Sequence, residues 1–285
     1  MTFGCRSNST PLQRVQLIPP AKWSQKALDD AGWGPMSARE INRQFKSYVK
    51  LLENRGISVD LAEAASNPDA IYAYDNCMVT PKGAILFRSK KPNRQMEIYQ
   101  CRNDLQRIGI PILAELDQPD QIDGGDVFWL DRETLAVGLS WRTNTDAVES
   151  LSAIMNSMNV RTIAFDIPNV GGPDVCMHLM SLISPLRADL AIVAEELAPV
   201  RLIQELDRRN IDIIPCPLSE FDSLGCNVLA LGNSEVISLA GNWQCAQQMR
   251  DAGLVVHEFH GPDLCLAGNG GPTCLTRVIT RDASL

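Results

Sequence analysis

The sequence predicts an α/β fold closed into a ring, on three observations. Apolar segments follow one another in the order strand, strand, helix, strand. That order returns at intervals of roughly 45 to 55 residues, one supersecondary unit per period. The pieces missing from the last unit lie at the N-terminus. A ring joined by its own termini removes the exposed sheet edges of an open repeat array. Plain strand–helix alternation also fits doubly wound folds, but an antiparallel hairpin precedes each helix where a βαβ unit has one strand, which favours the ring.

Each element has its own signal. In the first unit an apolar run, Ile71 to Val79, meets the turn Thr80-Pro81-Lys82-Gly83 and continues as Ala84-Ile85-Leu86-Phe87. Pro and Gly between strand-like runs mark a hairpin. Ile98, Cys101, Leu105 and Ile108 then recur at helical spacing in residues 95–108, before a strand from Ile110 to Leu113. The second unit reads as strands 126–130 and 134–138, helix 145–158 and strand 162–165. The third has strands 178–184 and 190–194, helix 200–209 and strand 211–215. The fourth has strands 226–231 and 236–239, helix 243–252 and strand 254–258. The fifth, Cys274 to Ile279, lacks a helix; strand 15–18, helix 37–54 and strand 59–62 complete it. No low-complexity block or Gly/Ser linker divides the 285 residues, so 1–285 is expected to be one domain.

Composition bounds the partners. Lys and Arg number 26 against 34 Asp and Glu, a net charge of −8. This leaves no basic footprint for nucleic acid and no basic run for a membrane surface. No apolar stretch approaches the roughly 18 residues of a membrane span, and the first residues lack a secretory pattern. Nine cysteines with no C-x-x-C pair argue against a disulfide framework or zinc ribbon. A cytoplasmic protein without nucleic-acid or membrane partners is expected; a homodimer is one option that the sequence leaves open.

Three histidines are present, His178, His257 and His260. His257 and His260 flank Glu258 without further ligands nearby, so they read as surface residues and no metal is expected. His178 stands at the start of a strand in the third unit. The units begin with Tyr74-Asp75-Asn76, Asp123-Gly124-Gly125-Asp126, Met177-His178, Leu224-Gly225-Cys226 and Gly270-Gly271-Pro272-Thr273-Cys274. In a ring these starts converge at one end of the axis, forming one concave site. Eight cysteines sit in apolar or helical contexts, where Cys behaves as a small hydrophobe. Cys274 follows a Gly-Gly-Pro turn and is either a Cys–His covalent catalyst or a buried structural cysteine.

The segments Asp123-Gly124-Gly125-Asp126-Val127, residues 137–144, His178-Leu179 and Gly270-Gly271-Pro272-Thr273-Cys274-Leu275-Thr276 resemble the guanidine-modifying superfamily. That superfamily holds arginine deiminases, amidinotransferases and dimethylarginine dimethylaminohydrolases. The similarity is nearest to the last type and covers nearly the whole chain. It implies a five-bladed α/β propeller of ββαβ units with pseudo-five-fold symmetry, its last unit closed by the N-terminus. Cys274 resembles the family nucleophile, His178 its general acid/base, and Asp123 the carboxylate that bonds that histidine. Asp75 resembles the acid that grips the guanidinium, Arg94 and Arg142 the pair that binds the substrate carboxylate, and Asp69 the holder of its α-amine. Read from the residues alone, Arg94 could equally be a solvated charge at a helix start, Asp69 an N-cap, and Asp126 a structural acceptor for backbone N–H groups.

The resemblance implies hydrolysis of a guanidino C–N bond in a free N-substituted L-arginine, giving citrulline and an amine through a Cys thiouronium and without a cofactor. Carboxylates fix the cation, and a thiolate attacks its carbon without a metal. Alternatives are arginine deiminase, amidinotransferase and, last, a silent binding ring. Two departures bear on the substrate: Met180 stands where deiminases carry a second Asp, and Tyr74 where many dimethylarginine enzymes carry an acid. Residues 19–35 correspond to the family's mobile lid, or form a simple surface loop.

Overall fold

The structure is a computed structural model that describes residues 3–34, 36–64, 67–173 and 175–282. Pro35, in the expected lid, and Asp174, upstream of His178, lie outside the described residues. The N-terminal part supplies β1 (Leu12–Leu17), α1 (Gln25–Ala31), α2 (Ala38–Glu53) and β2 (Ser58–Leu61). Three complete blades follow: β3 (Cys77–Thr80), β4 (Gly83–Leu86), α3 (Glu97–Arg107) and β5 (Ile112–Glu115); β6 (Val127–Asp131), β7 (Thr134–Leu139), α4 (Thr145–Asn156) and β8 (Arg161–Asp166); then α5 (Leu179–Leu182), β9 (Ile183–Arg187), β10 (Leu190–Val193), α6 (Val200–Arg208) and β11 (Asp212–Pro215). The fourth blade has α7 (Leu218–Phe221), β12 (Leu229–Gly232), β13 (Glu235–Leu239), α8 (Trp243–Asp251) and β14 (Val255–Phe259); α9 (Pro262–Cys265) leads to β15 (Arg277–Arg281).

Five three-stranded sheets result, each with an antiparallel first pair and a parallel second pair. The last, β15-β1-β2, joins the two ends of the chain, so the expected ring of ββαβ units closed by the N-terminus is the fold observed. Central strands β4 and β10 are buried at every position, which explains their unbroken apolar sequence. The core is a set of wedges between neighbouring blades. Ile85 and Phe87 of the first blade pack with Leu135, Val137 and Leu151 of the second, and Leu229 and Ile237 of the fourth pack with Leu17, Phe45 and Tyr48 of the fifth. Helix α2 shows how sequence sets this packing. Ser37 caps its N-terminus by accepting from Glu40 N, and Ile41, Phe45, Tyr48 and Leu52 lie on its buried face at three- and four-residue spacing.

The unit starts differ from the sequence expectation. The expected strand from Ile71 begins only at Cys77, because Asn67 and Pro68 open a 3-10 turn over Pro68–Ile71 that is followed by another over Ala73–Asn76. His178 does not begin a strand but precedes the single helical turn α5, and Cys274 lies in a turn ahead of β15.

These turns are bonded to one another around the axis. Gly125 N donates to Asp75 Oδ1 at 3.0 Å, and Leu179 N to Asp126 Oδ1 at 2.8 Å. Ser184 Oγ donates to Cys226 O at 2.7 Å and accepts from Val228 N at 3.1 Å. Thr273 N donates to Asn227 Oδ1 at 3.0 Å, and Tyr74 N to Cys274 O at 3.1 Å. Every pair of neighbouring blades is thus pinned at the same end, where backbone donors left unpaired by short turns find acceptors.

Candidate active site

The pinned turns bring Asp75, Asp123, His178, Asn227 and Cys274, one residue from each blade, to one end of the axis. Two glycines make room. A Cβ on Gly124 would sit 2.2 Å from Tyr74 O, and one on Gly125 would sit 2.3 Å from His178 Nδ1. The second glycine therefore serves as the surface against which the imidazole packs.

His178 Nε2 lies 3.2 Å from Asp123 Oδ2, and since an ionised carboxylate only accepts, the ring nitrogen is the donor. Burial opposes charge on His178, but the Cys176 sulfur, the Asp126 carboxylate and the bond to Asp123 outweigh it and hold the imidazole well above its ordinary value. Burial likewise works against the charge on Asp123, yet the hydrogen bond and charge of His178, with Arg94 behind them, bring its carboxyl down to about 2. The carboxylate is wholly buried, and the Ser89 hydroxyl adds to the lowering. Arg142 Nη1 stands 3.7 Å from Oδ2 of the same carboxylate.

Cys274 Sγ accepts from Asn227 Nδ2 at 3.1 Å. Burial pushes its thiol up to about 11 and Asp75 adds to the rise, while Asn227, His178 and the Gly271 backbone pull it back. Cys274 and His178 border one cavity of about 470 Å³. Opposite charge favours the ionised form of a thiol, so a cation bound near Sγ would lower its proton affinity.

Arg94 is buried, not a solvated charge at a helix start. Its Nη1 donates to Asp75 Oδ2 at 2.6 Å, its Nε and Nη2 to Glu97, and Nη2 also to Tyr72 O at 3.2 Å. Asp69 does not cap its own turn; that role falls to Asn67. Its carboxylate accepts from Trp33 Nε1 at 2.9 Å, Lys91 Nζ at 2.6 Å and Asn93 Nδ2 at 2.9 Å. Lys91 also reaches Ala31 O at 3.2 Å, and Trp33 stacks on Tyr72 with centroids 5.7 Å apart. The segment expected as lid or surface loop thus carries helix α1 and is clamped by a buried indole. Asp126 accepts from Leu179 N, Ser140 Oγ and Thr143 Oγ1, the structural reading considered for it.

Three residues escaped the sequence reading. Asn227 follows the quoted Leu224-Gly225-Cys226 by one position, so the common offset of the unit starts was the available signal. Glu97, at the start of α3, anchors Arg94, but an acid in a first helical turn has an ordinary explanation. Cys176 is not a core cysteine: its sulfur sits 3.6 Å from His178 Nε2 on the cavity wall. His257, expected at the surface, is half-buried against Glu235 Oε2 at 2.7 Å. No cluster able to hold a metal occurs among the described residues, and none of their helices is long and apolar enough to cross a membrane.

A ring of five ββαβ blades with a thiol, an imidazole and carboxylates at one end of its axis is the architecture of the guanidine-modifying enzymes. Within that class the chain belongs to the family described as N,N dimethylarginine dimethylhydrolase, eukaryotic, which it matches over residues 35–276. It is 29% identical over 264 residues to an uncharacterized protein of Aeropyrum pernix, covering 90% of this chain and 92% of that one. It is 27% identical over 257 residues to an arginine deiminase of Listeria monocytogenes, covering 75% of this chain and 62% of the deiminase. In fold it is similar to DDAH from Pseudomonas aeruginosa, solved as a cysteine-to-serine variant with citrulline (TM-score 0.79, 20% identity, 94% of this chain and 99% of that one). The N-terminal domain of ArgZ, a cyanobacterial arginine dihydrolase bound to its substrate, gives a TM-score of 0.80 at 18% identity, over 94% and 98% of the two chains.

Proposed function

We propose that this member of a guanidino-modifying hydrolase family cleaves the C–N bond to a substituted nitrogen of free N-substituted L-arginine, releasing citrulline and an amine. The observation that carries the reading is the single cavity bordered by both Cys274 and His178. A cationic substrate is supported by the carboxylates of Asp75 and Asp123 beside the thiol and the imidazole, acceptors suited to guanidinium N–H groups. In this mechanism the bound cation lowers the thiol's proton affinity, the thiol gives its proton to solvent, and the Cys274 thiolate attacks the guanidinium carbon. His178 gives its proton to the departing nitrogen as the C–N bond breaks. The neutral imidazole then takes a proton from water, whose oxygen adds to the thiouronium carbon and expels the thiolate.

Binding divides by charge. Asp75 and Asp123 orient the guanidinium, and Arg142 receives the α-carboxylate; Arg94, expected to share that role, is bonded to Asp75 and Glu97 and holds Asp75 in place from behind. Asp69 receives the α-ammonium in exchange for Lys91. Hydrolysis at an alkylated nitrogen is favoured over deimination of arginine because Met180 is buried in an apolar cluster, leaving one carboxylate fewer for unsubstituted nitrogens.

Arginine, mono- and dimethylarginine and hydroxyarginine, assayed for ureido product and released amine beside Cys274→Ser, test the reading. Citrulline with stoichiometric alkylamine supports it. Absence of ureido product from every substrate overturns it, and ornithine formed from arginine plus glycine would replace it with amidino transfer.

A further inference from the structure

The cavity beyond Cys274 and His178 is far larger than two methyl groups need, and an apolar strip lines it beside the polar Ser181, Asp222 and Asn269. Val170 and Val175, upstream of His178, line it together with Leu218 and Phe221 from α7. Val170, Val175 and Leu218 are 40%, 39% and 45% exposed, so an apolar surface stands uncovered within reach of the reacting atoms. Isolated exposed hydrophobics are ordinary, but three converging on one concave site mark a place for apolar ligand surface.

Direction follows from the chemistry. The nitrogen that leaves takes its proton from His178, so the substituent on that nitrogen lies on the histidine's side of the guanidinium. His178 lines the cavity together with that apolar strip. We infer that the substrate's departing nitrogen carries an apolar chain or ring larger than methyl, seated between Val170 and Val175 on one wall and Leu218 and Phe221 on the other. The inference rests on the proposed hydrolase reading and names its substrate class. The reaction remains balanced: the C–N bond to the substituted nitrogen breaks, His178 supplies the proton, and an alkyl- or aralkylamine leaves in place of dimethylamine.

The test is a series of L-arginines bearing methyl, propyl, butyl, pentyl or phenethyl on one terminal guanidino nitrogen, assayed for citrulline. Each further methylene brought out of water is expected to raise kcat/KM about fourfold until the wall is filled. Leu218→Ser and Val170→Ser, both at exposed positions, should flatten that dependence on chain length, a readout that a general loss of folded protein does not move. A flat or falling series with methylarginine best overturns the inference while leaving the hydrolase reading intact. Citrulline from none of the series, methylarginine included, overturns the reading itself.

Discussion

Asn227 Nδ2 lies 3.1 Å from Cys274 Sγ, while Oδ1 of the same side chain accepts the amide of Thr273 at 3.0 Å. One residue of the fourth blade therefore both fixes the turn that carries the thiol and donates to its sulfur. Hydrogen bonds to charged groups contribute about 1.5–3 kcal/mol, so Asn227→Ala is expected to lower kcat/KM roughly 10- to 100-fold. Alkylation of Cys274 should slow in parallel, measured by peptide mass after timed iodoacetamide exposure; an unchanged rate would separate Asn227 from the thiol's chemistry.

The thiol's high proton affinity has its own signature. With Cys274 near 11, its alkylation in the free protein should climb about tenfold per pH unit above neutrality with no plateau before pH 10. Asp75→Asn removes a charge that raises this value, so the profile should move to lower pH. A plateau near neutral pH in the unmutated protein would show a thiolate already formed at rest.

Asp123 links the site to stability. Its folded carboxyl titrates near 2, below its ordinary 3.8, so it contributes stability at pH values above 3.8 that is lost as the pH falls toward 2. Asp123→Asn should flatten the denaturation midpoint against pH over that acid window. It should also lower the His178 value, followed by NMR of the imidazole, because its hydrogen bond is one of the contributions holding that group up.

Gly124 and Gly125 should respond differently to alanine. At Gly124 the new Cβ meets backbone, Tyr74 O at 2.2 Å, whereas at Gly125 it meets the His178 ring. Gly124→Ala is expected to cost about 1–3 kcal/mol of stability. Gly125→Ala should instead cost mainly kcat, since the imidazole can turn aside while the fold persists. Thermal melts and turnover on both variants distinguish the two, and equal losses in Tm would contradict the assignment.

Lys91 clamps α1 through Ala31 O and neutralises Asp69. Lys91→Met should raise amide exchange over Leu28–Trp33 about tenfold, the loss expected for one charge-assisted contact. Exchange unaltered in this segment would mean that Trp33 alone holds it.

The ring was readable because each blade buries a central strand and an amphipathic helix, and apolar period survives in sequence. The residues that make the site were less readable, for a local reason. Single helical turns such as Leu179–Leu182 and 3-10 turns such as Ala73–Asn76 are too short to show a period, so apolar pattern alone places the strand starts several residues early. Motif resemblance supplied Cys274, His178 and Asp123, which share one locality in the fold. It could not supply Asn227, whose importance comes from a contact across 47 positions of chain. Nor could spacing reveal that Arg94 would face Asp75 and Glu97 together rather than solvent.

The most direct measurement is intact and peptide mass after acid quench during turnover of a methylarginine. A covalent adduct on the peptide containing Cys274, with the mass of the substrate less its departing amine, and absent in Cys274→Ser, is expected. An adduct on Cys176 instead, or undiminished citrulline formation by Cys274→Ser, would contradict attack by the thiol of the fifth blade.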